Sequence, residues 1–250
     1  MNRNAKTILI LGATSTIAKA LAAEFASRGY HLILAARDAL ELDRSASDLR
    51  LRYGINARTI PFDILQIERH AKILEQCWEL ANGVLEGVIF SVGYRGEQMV
   101  AEQDFSEAHR ILETNFTAPV YLLNHLTPYF EKTRSGFICV LSSIAGERGR
   151  RSNYIYGSAK GGLSLYLQGL RSRLYSSQVD VITVKLGVVD TQMTYGLPGL
   201  FLKASPQKVA RHIYRGIRKR RNVFYSPPFW RGIMWAIRNI PENFFKRQKW

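Results

Sequence analysis

The stretch Thr7-Ile8-Leu9-Ile10-Leu11-Gly12-Ala13-Thr14-Ser15-Thr16-Ile17-Ala18 decides how the rest of the chain is read. A short, continuous apolar run predicts a strand over 6–11 that is covered on both faces. Gly12 permits a tight turn, and the hydroxyls of Thr14, Ser15 and Thr16 suit a helix cap. A helix is predicted over 16–28. A strand that feeds a helix through such a turn directs backbone N–H groups and the positive end of the helix dipole outward, toward an anion.

The same alternation continues along the chain. Further apolar runs predict strands over 31–36, 56–61, 86–91, 136–142, 179–185 and 222–225. Longer amphipathic patterns between them predict helices over 38–53, 66–82, 104–132, 153–175 and 206–220. Strands such as Leu32-Ile33-Leu34-Ala35 show no polar alternation, as expected of a parallel sheet between crossover helices. The reading is a Rossmann-like, doubly wound α/β fold of about seven strands. It spans 1–225 as one domain, with a basic amphipathic extension over 226–250.

Composition narrows the function. The 250 residues, 46% of them hydrophobic and 22% charged, are enough to bury a core without staples. Cys77 and Cys139 lie far apart and form no C-x-x-C, which argues against a disulfide framework or thiolate zinc site. The five histidines make no H-E-x-x-H, and no metal is expected. Met1 to Lys6 is polar and leads into too short an apolar run for a secretory leader. No apolar stretch reaches the roughly 18 residues of a membrane span, so a cytoplasmic location is expected. The formal charge of +15 is concentrated at one end. Residues 201–250 hold thirteen Lys and Arg and one acid, Glu242, a balance of +12. Such an end points to phosphate: nucleic acid, anionic lipid or a phosphorylated substrate.

In a doubly wound sheet the first strand–helix turn receives a dinucleotide pyrophosphate. Gly12, Thr14, Ser15, Thr16 and Ile17 are therefore cofactor candidates. The glycine fingerprint is incomplete, since Thr16 and Ala18 stand where glycines are expected. The end of strand two reads Ala35-Ala36-Arg37-Asp38. An acid there would bind a ribose 2′-hydroxyl, whereas an arginine accommodates a 2′-phosphate. Ala36 removes the acid and Arg37 supplies the cation, so NADP(H) is expected over NAD(H). Asp38 either caps the next helix or reaches the ribose.

Ser142-Ser143 ends strand five, and Tyr156 and Lys160 follow in Tyr154-Ile155-Tyr156-Gly157-Ser158-Ala159-Lys160. Four residues apart on a helix, Tyr156 and Lys160 share a face. A phenol near pKa 10 is a poor acid or base at neutral pH, and a neighbouring ammonium is expected to lower it. A strand-end serine can hydrogen-bond a reacting carbonyl oxygen.

With these residues together, the chain resembles a short-chain dehydrogenase/reductase. Ser143, Tyr156 and Lys160 meet the family pattern S-x(12)-Y-x-x-x-K. The resemblance implies that Asn115 joins them through a water that links Lys160 to solvent. It further implies cofactor contacts from Asp63 and Ile64, from Gly93, and from Gly187, Val189 and Thr191 in the turn after strand six. Phe90-Ser91-Val92-Gly93 departs from the usual N-N-A-G, and Leu186 replaces the usual proline. Helices 104–132 and 153–175 are where relatives commonly dimerise, so a homo-oligomer is expected.

Arg148, Arg150 and Arg151 lie between Ser143 and Tyr156, where they either clamp a substrate phosphate or face water, Glu147 or a neighbouring subunit. The stretch 145–160 resembles a narrower branch, the reductase subunit of decaprenylphosphoryl-ribose 2′-epimerase. That resemblance implies reduction of a lipid-linked 2-keto sugar and a flavin-dependent oxidase as partner. Met193, Tyr195, Leu197, Pro198, Leu200, Phe201 and Leu202 would form an apolar cover for such a ligand. After Pro227-Pro228, one helical arc gathers Phe229, Trp230, Ile233, Met234, Ile237 and Ile240, flanked by Arg231 and Arg238. This is the pattern of a helix in the interface of an anionic membrane, on its inner face in the cell, or of a helix packed on protein. Nucleic acid fits less well, because these aromatics sit on an apolar face instead of forming interleaved stacking platforms. The expected function is an NADPH-dependent ketoreductase of a lipid-linked keto-sugar. The alternatives are a reductase of another hydrophobic ketone or 3-oxoacyl substrate, and a silent membrane- or protein-binding relative.

Overall fold

A computed structural model describes residues 6–82, 84–196 and 202–247. In chain order the elements are β1 (Thr7–Leu11), α1 (Thr16–Ala26), β2 (His31–Ala36), α2 (Ala39–Tyr53), β3 (Ala57–Pro61), α3 (His70–Leu80), β4 (Leu85–Phe90), α4 (Gln98–Ala101) and α5 (Phe105–Leu112). They continue with α6 (Ala118–Thr133), β5 (Phe137–Ser143), α7 (Tyr154–Leu174), β6 (Asp180–Leu186), α8 (Pro206–Arg218), β7 (Val223–Ser226), α9 (Trp230–Asn239) and α10 (Glu242–Phe245). The seven strands form one parallel sheet in the order β3-β2-β1-β4-β5-β6-β7. Every residue of β1 is buried, as the uninterrupted apolar run requires of a central strand.

Helices cover both faces. One core layer places α1, α2 and α8 residues such as Leu21, Leu42 and Ile213 against the sheet. The other uses Leu74, Leu122, Leu126, Leu163 and Leu167 from α3, α6 and α7. Strand order reverses between β1 and β4, which opens a crevice at the carboxyl ends of those strands.

Two predicted helices are broken. The one over 66–82 opens as a 3₁₀ turn at Ile67–Arg69. The one over 104–132 is interrupted by a π-helical turn at Glu113–Thr117 between α5 and α6. There the Asn115 side chain donates to the Ile111 carbonyl at 2.8 Å, taking the acceptor that an α-helix reserves for the backbone N–H four residues on. Among the described residues no helix is long and apolar enough to cross a membrane.

The segment after β7 lies against the body of the fold. Trp230, Met234, Ile237 and Phe245 are buried in a cluster with Ile144, which follows Ser143. The apolar arc that the sequence offers to a membrane interface is thus largely covered by protein. Its turn-by-turn spacing serves either role, and here the turn after β5 and Val188 fill the space that lipid would occupy. Leu197, Pro198, Leu200 and Phe201 of the expected apolar cover lie outside the described residues.

Candidate active site

A cavity of ≈ 370 Å³ occupies the crevice at the strand ends. Of the sequence candidates, Gly12, Thr14, Ser15, Thr16, Ile17, Arg37, Asp63, Ile64, Gly93, Tyr156, Lys160, Thr191 and Met193 line it. The β1–α1 turn forms one wall. Gly12 has φ +77°, and a Cβ there would lie 2.9 Å from the Ser91 backbone, so conformation and close approach both demand glycine. Ser15 caps α1 by accepting from the Ala18 N–H at 3.3 Å, and its hydroxyl meets that of Ser91 at 3.0 Å. Ala18 is fully buried in the core. At the end of β2, Arg37 is exposed at the cavity rim. Asp38 caps α2 through the Glu41 N–H at 3.0 Å, one of the two roles its position allows. Asp63 accepts from the Leu65 N–H at 3.1 Å, which shapes the turn beneath the same end.

The other end carries the titratable groups. Tyr156 is 9% exposed and Lys160 2%. Burial pushes the Tyr156 phenol up to about 12, against smaller lowering effects from a Ser143 hydrogen bond and from the Arg95 charge. Burial also pulls the Lys160 ammonium down to about 8. The expectation that Lys160 lowers the phenol is therefore not met: both groups are desolvated, which disfavours the charged form of each. The Lys160 Nζ lies 5.8 Å from the Tyr156 ring centre and 3.5 Å from the Leu141 carbonyl.

The two serines that end β5 separate in role. Ser143 accepts from the Ala145 N–H at 3.1 Å and hydrogen-bonds Tyr156. Ser142 donates to the Lys160 carbonyl at 3.2 Å and meets the Ser164 hydroxyl at 2.8 Å, fastening α7 to the strand. Asn115 is fully buried. Its amide donates to the Tyr94 and Ile111 carbonyls at 2.5 and 2.8 Å and accepts from the Tyr94 N–H at 3.2 Å. It thereby fixes the loop after β4, and a Cβ on Gly93 would lie 3.4 Å from its Oδ1 and 3.5 Å from the Lys160 Nζ.

Several expected site residues lie elsewhere. Gly187 is absent from the cavity lining; a Cβ there would overlap the indole of Trp230, so glycine serves the packing of α9. Val189 is 3% exposed and belongs to the core, and its carbonyl accepts from the Thr194 hydroxyl at 2.6 Å. Tyr195 is 86% exposed.

Arg148 is engaged by the C-terminal segment. Its Nη1 donates to the carbonyls of Ile237, Arg238 and Ile240 at 3.3, 2.8 and 2.8 Å. Its Nη2 reaches Glu242 at 2.8 Å, and the guanidinium lies 4.1 Å over the Phe245 ring. The last turn of α9 offers carbonyls without helical partners, and a guanidinium fork satisfies them. Arg150 is likewise half-buried and donates to the Met234 sulfur at 3.4 Å, while Arg151 is exposed. Glu147 pairs with Lys185 and accepts from the Tyr225 hydroxyl at 2.7 Å.

Ser91, Tyr94, Arg110, Thr114 and Gln192 also line the cavity. In the sequence Ser91 stands out only as a departure from N-N-A-G. No local pattern marks Arg110, which reaches the site from α5 and stacks 4.4 Å over Tyr94.

The residues present fit a dinucleotide. The glycine turn lies at a helix N-terminus on one wall of the cavity, and the lining continues from Arg37, Asp63 and Ile64 to Tyr156, Lys160 and Thr191. Residues 6–198 match the model of the short chain dehydrogenase family. An uncharacterised oxidoreductase encoded in the mprA 5′ region of Streptomyces coelicolor is 35% identical over 245 residues, covering 97% of this chain and 95% of the relative. A short-chain dehydrogenase from Sphingobium yanoikuyae solved with NADPH superposes with a TM-score of 0.82 at 24% identity, covering 95% of this chain and 97% of that one. A bulky-bulky ketone specific alcohol dehydrogenase from Comamonas testosteroni gives 0.80 at 24% identity, with 96% of each chain covered. With the strand order, the glycine turn and the Ser143–Tyr156–Lys160 cluster in place, the chain belongs to the short-chain dehydrogenase family of NAD(P)-dependent oxidoreductases.

Proposed function

We propose that the chain uses NADPH to reduce a bulky, apolar ketone to a secondary alcohol, and that a lipid-linked 2-keto sugar is its substrate class. One observation carries the reading: a single cavity joins Arg37, with no acid at the end of β2, to the buried Tyr156 and Lys160. NADPH, held by the turn Gly12–Ile17 with Arg37 and Asp63, would supply the hydride for the carbonyl carbon. Tyr156 gives its proton to the carbonyl oxygen, which Ser143 orients by a hydrogen bond. Lys160, pulled to about 8, exchanges a proton close to neutral pH and restores the phenol. Asn115 holds the loop that faces both.

Support for an apolar substrate comes from Met193 at the cavity, 43% exposed, and from Tyr195 and Leu202, exposed further along the same loop. The Comamonas enzyme of this fold is named for bulky ketones. For the sugar, support rests on the likeness of 145–160 to the epimerase reductase branch, and a flavin-dependent oxidase would supply the ketone. Arg148 and Arg150, bound to the C-terminal segment, lend no support to a phosphate clamp. Exposed Phe105, Leu112, Tyr121 and Leu165 on α5, α6 and α7 support a homo-oligomer through those helices.

The test follows NADPH consumption across soluble bulky ketones and a short-chain keto-sugar phosphodiester. Tyr156→Phe should keep NADPH binding while kcat falls by roughly 10²–10⁴; full activity in that variant would falsify the mechanism. A charge-assisted contact is worth about 1.5–3 kcal/mol, so Arg37→Ala should weaken NADPH roughly ten- to a hundredfold and leave NADH nearly unchanged. Equal affinity of the parent for both cofactors would refute the preference.

A further inference from the structure

The inward side of α9 is spoken for: Trp230, Met234 and Ile237 are buried against the turn that carries Ile144. Its outward side carries Arg231, Trp235 and Arg238, spaced four and three residues apart and so neighbours on one face. Trp235 is 65% exposed, and Phe244 near the end of the segment is 61% exposed, whereas the Phe229 ring packs 5.9 Å from that of the buried Trp230. Folding gains nothing from leaving an indole and a phenyl ring in water.

Charge identifies what covers them. No acid occurs between Phe229 and Pro241, and Glu242, the one acid of residues 201–250, is paired with Arg148 at 2.8 Å. Among the described residues Arg231, Arg238, Lys246 and Arg247 are exposed and form no ion pair. The surface therefore combines protruding aromatic rings with uncompensated cations. Gly232 and Ala236, small and exposed, lie on the same side and let the helix approach a flat partner closely. Tryptophan and arginine together suit the headgroup layer of a bilayer, where the ring enters the acyl boundary and the guanidinium meets phosphate. We propose that the outward face of α9, with Phe244, docks the protein on an anionic lipid bilayer. Arg148 fixes this face by holding the end of α9 to the turn after Ser143, so docking presents a rigid surface of the catalytic domain. The proposal stands apart from which ketone is reduced.

The test uses the full chain with phosphatidylcholine vesicles, with and without phosphatidylserine, in a flotation assay. The parent should float with the anionic vesicles and stay behind with the neutral ones. Arg231→Gln with Arg238→Gln should weaken binding by about fivefold per arginine. Trp235→Ala with Phe244→Ala should weaken it by roughly tenfold or more, because apolar area no longer leaves water. All four side chains are exposed, so melting curves should match the parent. Should the aromatic pair shift the melt, quenching of parent tryptophan fluorescence by brominated phosphatidylserine takes its place, and must occur. Failure of the parent to float, absence of quenching, or binding unchanged in the aromatic pair overturns the proposal. So does tighter binding to a single-stranded oligonucleotide or an acidic peptide than to the anionic vesicles.

Discussion

Replacing Arg148 with alanine should release the C-terminal segment from the catalytic domain. The side chain is 15% exposed, and its guanidinium fills the gap between the turn after β5 and the last turn of α9. Hydrogen bonds to a charged group contribute about 1.5–3 kcal/mol each, and two of the carbonyl contacts are short, at 2.8 Å. The third, at 3.3 Å, adds little, and the freed carbonyls of Arg238 and Ile240 are near enough to the surface to be rehydrated. Glu242 is 74% exposed, so its ion pair is worth at most about 1 kcal/mol. Balancing these, the loss is about 3 kcal/mol. For a chain of this size about 1 kcal/mol moves Tm by roughly 2–4 °C, so a fall of about 6–12 °C is expected if the protein melts as one unit. Limited trypsin digestion reads the same event locally, through faster cleavage at Arg231 and Arg238. Arg148→Lys keeps the charge but presents one compact ammonium where a planar fork spans several acceptors, so it should recover about half of the loss. If Arg148→Ala melts within about 1 °C of the parent and its tail is cut no faster, the network does not hold the segment and the reasoning fails.

Two further expectations concern the same wall and the buried pair. Gly187→Ala should overlap the Trp230 indole and cost about 1–3 kcal/mol, with Trp230→Leu in the same chain restoring part of it; a variant as stable as the parent would mean the indole has room to move. Lys160, at about 8 when folded and 10.5 when unfolded, binds fewer protons in the native state between those values, so stability should rise with pH through that window by on the order of 3 kcal/mol. Tyr156, at about 12 against 10.0, binds more protons when folded, so its contribution is lost as pH climbs from 10 towards 12. Urea midpoints at pH of about 7.5 and 9.5, compared between the parent and Lys160→Met, isolate the lysine; equal pH responses in the two would contradict its burial.

How far the sequence could be read depends on whether a feature is local. Strands and helices announce themselves by periodicity, and each predicted strand lies within one residue of its observed ends. The glycine turn was legible because φ +77° and the approach of Ser91 leave no alternative to Gly12. Tyr156 and Lys160 were legible because four residues is a helical neighbour distance. Arg37 was legible because the end of β2 has a fixed place beside β1. Electrostatics was not: spacing brings an ammonium near a phenol, but only the fold reveals that both are buried and that burial outweighs the pairing. Contacts across long sequence separations were hidden as well. Nothing in Arg148-Gly149-Arg150-Arg151 says that the first two guanidinium groups meet α9 some ninety positions later while the third stays in water.

The C-terminal helix shows why an amphipathic pattern leaves its partner open. An apolar arc of Trp230, Met234 and Ile237 gains much the same free energy per unit area from lipid as from Ile144 and Phe245, so the arc alone does not choose. What chooses is the accounting of the other groups. The carbonyls at the end of α9 need donors, and Arg148 supplies them only if the apolar side faces the protein. Once that side is spent, Trp235, Arg231 and Arg238 are fixed outward by helical spacing. The same consideration accounts for Gly187, whose missing side chain leaves the space that the Trp230 ring occupies. A glycine expected beside a cofactor and a helix expected in a membrane are thus two ends of one packing solution. Any substitution that dislodges the ring should be felt at both the turn after β5 and the turn after β6.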